Sequence, residues 1–202
     1  MSQLSPTAKK ILVPIAKGTE EMEAITIMDI MVRAGYHLTT ASVDSEGELV
    51  VTGSRGIPLT ASCKLVDVAD EEFDAILLPG GLEGAMHFRD STLLTETLRQ
   101  QIYDGRLIGA ICAAPAIVLQ HHDFYPKALM TAHPSFQNDI PKSNWRSKRV
   151  TYDINHNLLT SQGPGSALEF AMEVIILLSG KAHAAVVAEP MAILPNLQYD
   201  RL

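Results

Sequence analysis

Five residues without a polar side chain, Leu107-Ile108-Gly109-Ala110-Ile111, run straight into Cys112. A run with no polar side predicts a short strand covered on both faces, and Pro115 suits the first turn of a helix, where a missing N–H costs nothing. Gly109 and Ala110 before the cysteine and Ala113 and Ala114 after it are all small. They permit a sharp turn that presents the thiol beside a helix N-terminus. Unpaired N–H groups and the helix dipole at such a place favour a thiolate, lowering a cysteine pKa from about 8.5 into the range of roughly 3.5–7.5. A buried cysteine serving as a small apolar side chain is the alternative reading of this stretch.

The rest of the chain reads as a frame around that strand. Lys9 to Ile15 predicts a first strand, Glu20 to Ala34 carries Ala24, Ile27, Met28 and Met31 at helical spacing, and His37 to Val43 predicts a second strand. Strand, helix, strand in that order implies a parallel sheet with helices on its faces. The β-prone halves of Glu48 to Leu59 flank Gly53-Ser54-Arg55-Gly56 and predict a hairpin appended at the sheet edge. Asp74 to Leu78 predicts another core strand, running into Pro79-Gly80-Gly81, whose glycines allow unusual backbone angles and expose N–H groups. A helix from about Ser91 to Tyr103 then leads to the Cys112 strand.

Beyond Cys112 the alternation loosens. Expected are a short strand over Ala128 to Ala132 ending at His133-Pro134, and a hairpin of Arg149 to Tyr152 with Leu158 to Ser161. A capping box of Ser166 and Glu169 should open a buried helix from Ala167 to Leu178. A last helix from Lys181 to Ala188 and an irregular tail to Leu202 complete the reading.

A chain of 202 residues, 47% of them hydrophobic, can bury one sizeable core. A single domain spanning 1–202, with its core at about 9–188, is expected. The 16 basic and 23 acidic residues give a net charge of −7, which argues against stable binding to nucleic acid or to an anionic membrane surface. Cys63 and Cys112 are too few for a disulfide framework, Met1 to Lys10 lacks the apolar centre of a signal peptide, and no apolar run is long enough to span a membrane. The cytoplasm is therefore the expected location. No Cys-x-x-Cys or paired-His helix spacing occurs, and His121-His122 would point to different helix faces, so no metal is expected.

In a doubly wound sheet the site forms beyond the carboxyl ends of the strands. Cys112, Gly80-Gly81, Glu20-Glu21-Met22-Glu23 and His133 all fall there. The glycine turn and the Ala113 N–H could together hold a developing oxyanion. Read singly, each has a plainer meaning: an ordinary turn, an acidic complement to a helix dipole, a solvated histidine.

Taken together, Ala16-Lys17-Gly18-Thr19-Glu20-Glu21-Met22-Glu23, Leu78-Pro79-Gly80-Gly81, Ala110-Ile111-Cys112-Ala113-Ala114-Pro115, Ala132-His133-Pro134 and Thr160-Ser161-Gln162-Gly163-Pro164-Gly165 resemble the ThiJ/PfpI superfamily. Within it the likeness is to the YajL-type bacterial proteins and the Parkinsonism-associated deglycase, over Lys9 to Ala188. The resemblance implies a flavodoxin-like three-layer α/β/α sandwich and a homodimer. It further implies Cys112 as nucleophile, Glu23 as the carboxylic acid against its sulfur, His133 nearby, and oxyanion donors at Gly81 and Ala113. Arg33 and Arg55 match arginines that line the site mouth in relatives, at least partly across a dimer, and Arg33 reads equally well as a surface ion pair.

A carboxyl pressed against a thiolate has its pKa raised, so Glu23 would keep a proton at neutral pH and supply it to a carbonyl attacked by Cys112. The implied function is a cofactor-free glyoxalase or deglycase acting on α-oxoaldehydes such as glyoxal and methylglyoxal, or on their early adducts with proteins and nucleotides, protective in carbonyl and oxidative stress. Ala113 stands where protease relatives commonly carry His, and His133 has no adjacent Asp or Glu, which points away from peptidase chemistry. The competing reading is a redox-sensing cysteine or a holdase chaperone for unfolded proteins, with incidental turnover. A link to thiamine biosynthesis has no phosphate-site motif behind it. Cys63 lies outside any strand–helix turn and reads as structural.

Overall fold

The computed structural model describes residues 8–43 and 47–192, and the expected tail falls, from residue 193 on, outside them. In chain order its elements are β1 (Lys10–Ile15), α1 (Glu21–Arg33), β2 (His37–Ser42), β3 (Val50–Thr52), β4 (Pro58–Thr60), β5 (Cys63–Lys64), β6 (Ala75–Leu78), α2 (Leu82–Asp90), α3 (Thr92–Tyr103) and β7 (Leu107–Ile111). A π-helical segment, Pro115–Gln120, follows, then β8 (Val150–Asp153), β9 (Leu158–Ser161), α4 (Ala167–Ser179) and α5 (Lys181–Ala188). The main sheet has the order β5-β2-β1-β6-β7-β9-β8. It is parallel throughout except for β8, which runs antiparallel to β9.

Successive strand residues point to opposite faces, so each covered strand feeds two cores. Ile11, Val13 and Ile15 of β1, Leu77 of β6 and Ile111 of β7 pack with α1, α4 and α5. Leu12, Ile76, Leu78, Ile108 and Ala110 pack with α2, α3 and the π-helical segment. The result is the three-layer α/β/α sandwich of a flavodoxin-like fold.

Four local expectations change. The β3–β4 hairpin is a separate two-stranded sheet and not the sheet edge. It folds over the β1–α1 turn through the Gly18 N–H to Thr52 carbonyl and Ser54 N–H to Thr19 carbonyl bonds, both 2.8 Å, and buries Val51 and Leu59 beside α1. The edge itself is β5, whose two residues pair with Ala41 and Ser42. The helix α2 was not anticipated, although Ala85 and Phe88 give it a buried face. Residues 128–132 form no strand, only a bridge from Met130 to Trp145.

No capping box opens α4 either. The Ser166 hydroxyl instead bonds Ser161 Oγ at 2.7 Å and donates to the Gly163 carbonyl at 3.0 Å, while Glu169 accepts both its bonds from Arg149 Nε at 2.9 Å. The Ser166 bonds are buried, where a hydrogen bond is worth more, and Arg149 draws Glu169 away with a charge-assisted pair.

At Gly109, β7 lies tightly against side chains of β6 and α4. A Cβ there would lie 2.6 Å from Leu77 Cδ2 and 2.8 Å from Phe170 Cζ. Replacing it by alanine overpacks the layer and is expected to cost about 1–3 kcal/mol. Gly165→Ala meets nothing within 4 Å and should change stability little. Urea unfolding of the two variants checks the contrast; equal midpoints would mean that the β7–α4 contact is loose.

Candidate active site

Cys112 closes β7 with φ at 64°, a left-handed conformation that costs an L-residue about 1–2 kcal/mol. Two backbone bonds hold it there: its N–H donates to the Ser161 carbonyl at 3.0 Å, and its carbonyl accepts the His133 N–H at 2.8 Å. The turn after β6 meets it so closely that a Cβ on Gly80 would stand 2.5 Å from Cys112 Cβ and 2.7 Å from Glu23 Oε2. Next to it, Gly81 has φ at 86°, and a Cβ there would overlap the Gly18 carbonyl oxygen. Both positions thus require glycine. The N–H groups of Gly81 and Ala113 donate to the Cys112 sulfur, which puts two donors where the oxygen of an attacked carbonyl would develop charge.

Glu23, in the first turn of α1, is fully buried. Its Oε2 accepts the Gly80 N–H at 2.7 Å, its carboxyl meets the Cys112 thiol, and its Oε1 has no protein partner. Burial, only partly offset by the Gly80 N–H, pushes the carboxyl up to about 7. Burial and the charge on Glu23 in turn push the Cys112 thiol up to about 12, against the pull of the Gly81 and Ala113 N–H groups. The expectation that the turn alone lowers the thiol pKa is corrected here. A thiolate exists in this pocket when Glu23 holds the proton, because the pair tolerates one negative charge far better than two.

His133 is exposed and its Nδ1 accepts the Ser135 N–H at 3.3 Å, with the Ser135 hydroxyl at 2.7 Å. An accepting Nδ1 leaves the proton of the neutral ring on Nε2. No carboxylate orients the ring among the described residues. Gly163 keeps the space between ring and acid open: a Cβ there would lie 3.5 Å from His133 Cδ2 and 3.9 Å from Glu23 Oε1.

An open cavity of about 550 Å³ is lined by Cys112, Ala113, His133, Gly81, Arg55 and Phe136, among others. A larger one, about 670 Å³, lies between Lys64, His87 and Leu93 and has no cysteine in its wall. Arg55 thus reaches the mouth from the same chain as Cys112. Arg33 does not line the cavity and pairs with Asp29 at 2.6 Å. Of the remaining acidic residues, Glu20 caps α1 by accepting the Glu23 N–H at 2.7 Å, and Glu21 bonds the β3–β4 loop. Cys63 is half-buried, and its thiol lies 3.6 Å from the Thr40 carbonyl, which it can only serve as donor. Sequence reasoning missed Ser135 and the Glu21 contacts; the first had a local signal in the Pro134 turn, the second had none.

A strained cysteine at a strand end, an acid from the first helix against its sulfur and a double-glycine turn beside it define a family, and the sequence comparison names it. The chain belongs to the DJ-1/PfpI family, whose profile matches residues 9–177. It is 35% identical over 194 residues to the protein DJ-1 homolog B of Arabidopsis thaliana, 96% of this chain but 43% of that protein, so it spans less than half of that relative. It is 31% identical over 183 residues to the glutathione-independent glyoxalase DJR-1.2 of Caenorhabditis elegans, covering 91% of this chain and 95% of that one. Among solved structures, the VC2308 protein superposes with a TM-score of 0.92 at 45% identity, over 96% of this chain and 98% of that one.

The raised Glu23 carboxyl makes a prediction with a definite sign. A group whose pKa is higher folded than unfolded stabilises the fold below its ordinary value, about 4.3 for glutamate, and loses that contribution as pH rises through the folded one, here about 7. Glu23→Gln has no such group to ionise. The melting temperature of the unaltered protein should therefore fall between pH 5 and pH 8 by several degrees more than that of the variant. Calorimetry across that range checks it, and parallel curves would place the carboxyl outside the shielded pair.

Proposed function

We propose that the protein is a cofactor-free, cysteine-dependent enzyme of the glyoxalase or deglycase type, acting on α-oxoaldehydes or their early adducts, with Cys112, Glu23 and His133 as its catalytic residues and Gly80, Gly81, Ala113 and Arg55 as substrate-binding ones. The observation that carries this reading is the contact of the fully buried Glu23 carboxyl with the Cys112 thiol beneath two N–H donors. It combines nucleophile, acid and oxyanion site without a metal or organic group. The name of the nematode relative, a glutathione-independent glyoxalase, supports the same class.

With methylglyoxal the steps balance as follows. The sulfur of Cys112 adds to the aldehyde carbon, and the proton of Glu23 passes to the aldehyde oxygen, giving a hemithioacetal. Glu23, now ionised, removes the proton from that same carbon and returns it to the neighbouring carbon, while the hydroxyl proton of the first carbon is relayed through His133 or water to the former ketone oxygen. The product is a thioester of a 2-hydroxy acid. Water cleaves it, freeing lactate and the thiol.

The unpartnered Oε1 of Glu23 favours a second reading as well: a protonated carboxyl aimed past the sulfur can donate to the oxygen of a sulfenic or sulfinic acid, as a redox sensor would need. A homodimer fits both readings. Met22, Ile25 and Val32 of α1 and Val50 and Ile57 of the hairpin are apolar and more than half exposed. Exposed apolar side chains on a helix and on the hairpin that packs beside it suit a self-complementary two-fold contact.

Turnover of methylglyoxal to lactate by the unaltered protein, Glu23→Gln and Cys112→Ser tests the enzyme reading. Loss of a general acid or base costs about 10²–10⁴-fold, so the Gln variant should fall by that factor and the Ser variant should be silent; unchanged rates in both would leave the sensor. For the dimer, light scattering at low micromolar concentration should give the mass of two chains, and Ile25→Lys should bring it to the 22.0 kDa of one.

A further inference from the structure

Glu21 sits two residues before the acid, 5% exposed, and its carboxylate serves a single loop. Oε1 accepts the Arg55 N–H at 2.6 Å and the Ile57 N–H at 3.2 Å, and Oε2 accepts the Ser54 hydroxyl at 2.9 Å. Gly53, at the same hairpin tip, must lack a side chain because a Cβ there would overlap the Glu21 carboxyl. Besides Glu21, the tip is tied down by the Ser54 N–H to Thr19 carbonyl bond, and residues 54–58 are all exposed. Arg55 nevertheless lines the cavity with Cys112 and makes no ion pair among the described residues.

We propose that Glu21 is a positioning residue for the site: its buried carboxylate seats the β3–β4 loop so that the Arg55 guanidinium stands at the mouth of the Cys112 cavity and selects electrophiles that carry an anionic group. A buried carboxylate without partners is costly, so the loop that satisfies it is held in one place. Burial pushes the Glu21 carboxyl up, yet the N–H groups and the Ser54 hydroxyl together bring it below the usual carboxylate range, and the loop stays seated at neutral pH. A guanidinium held this way offers a planar, two-pronged donor to a carboxylate. The first turn of one helix then does two tasks, Glu23 setting the proton and Glu21 setting the selectivity. The inference rests on the proposed function only for the identity of the natural electrophile.

The test reads selectivity at the sulfur, not turnover. Rates of Cys112 alkylation by iodoacetate, which is anionic, and by iodoacetamide, which is neutral, are followed by mass spectrometry, with melting curves to establish folding. Glu21→Ala should lower the iodoacetate-to-iodoacetamide ratio by about three- to tenfold, the worth of one nearby charge in partly screened water. Arg55→Ala should lower it equally, and the double variant no further. The sign is diagnostic, since removing a negative charge that acted only through its field would raise the ratio. Glu21→Gln retains an acceptor at Oε1 and can still bond Ser54, so it should keep most of the ratio. Gly53→Ala displaces the same tip without touching any charge and should mimic Glu21→Ala, which decides the matter if the latter fails to fold. A folded Glu21→Ala or Gly53→Ala protein with an unaltered ratio, or an Arg55→Ala protein with one, overturns the proposal. Absence of methylglyoxal turnover beside the expected ratios would overturn the proposed function alone.

Discussion

A carboxyl and a thiol in contact beneath the protein surface can hold one negative charge between them at modest cost, and a second only at great cost. The Glu23–Cys112 pair is built around that constraint. Burial removes water from both groups, the Gly80 N–H steadies one oxygen of the acid, and the Gly81 and Ala113 N–H groups steady the sulfur. A proton is thereby kept within the pair at neutral pH. A reactive thiol elsewhere gains its thiolate from a permanent positive neighbour; here the neighbour is an acid that burial inclines to keep its own proton.

Such a pair needs a tight scaffold, and three separate pieces of chain supply it. β7 delivers Cys112 in a left-handed turn, the β6 turn closes on it with two glycines, and the first turn of α1 brings the acid across. The residues that make this possible are mostly those that are missing a side chain. Gly80 is absent a Cβ where sulfur and carboxyl approach, and Gly163 leaves room between Glu23 Oε1 and the His133 ring. Space, more than contact, defines the pocket.

The first turn of α1 illustrates how neighbouring identical residues are separated by geometry. Glu20 turns back to cap the helix at the Glu23 N–H, Glu21 holds the hairpin loop, and Glu23 enters the pocket. Successive helix positions lie about 100° apart, so three carboxylates within four residues face three different environments. Their pKa directions diverge accordingly, Glu21 going down and Glu23 up.

By itself the sequence determined what short-range physics controls. The apolar run into Cys112, the small residues around it and Pro115 specify a strand, a sharp turn and a helix start, and the alternation of strands with helical periods specifies a layered parallel sheet. Resemblance to a known family singled out Cys112, Glu23, Gly80, Gly81 and His133, which the fold brings close together. Whatever depended on competition between distant partners was settled only in three dimensions. Ser166 and Glu169 have the spacing of a cap, yet Ser161, Gly163 and Arg149 claim them. The β3–β4 hairpin has the pattern of an edge, yet the β1–α1 turn and Glu21 draw it over the site. The Cys112 thiol lies beside a helix start, yet burial and Glu23 outweigh the dipole. In each case the local preference is worth about a kilocalorie per mole, and the buried or charged partners brought by the fold are worth more.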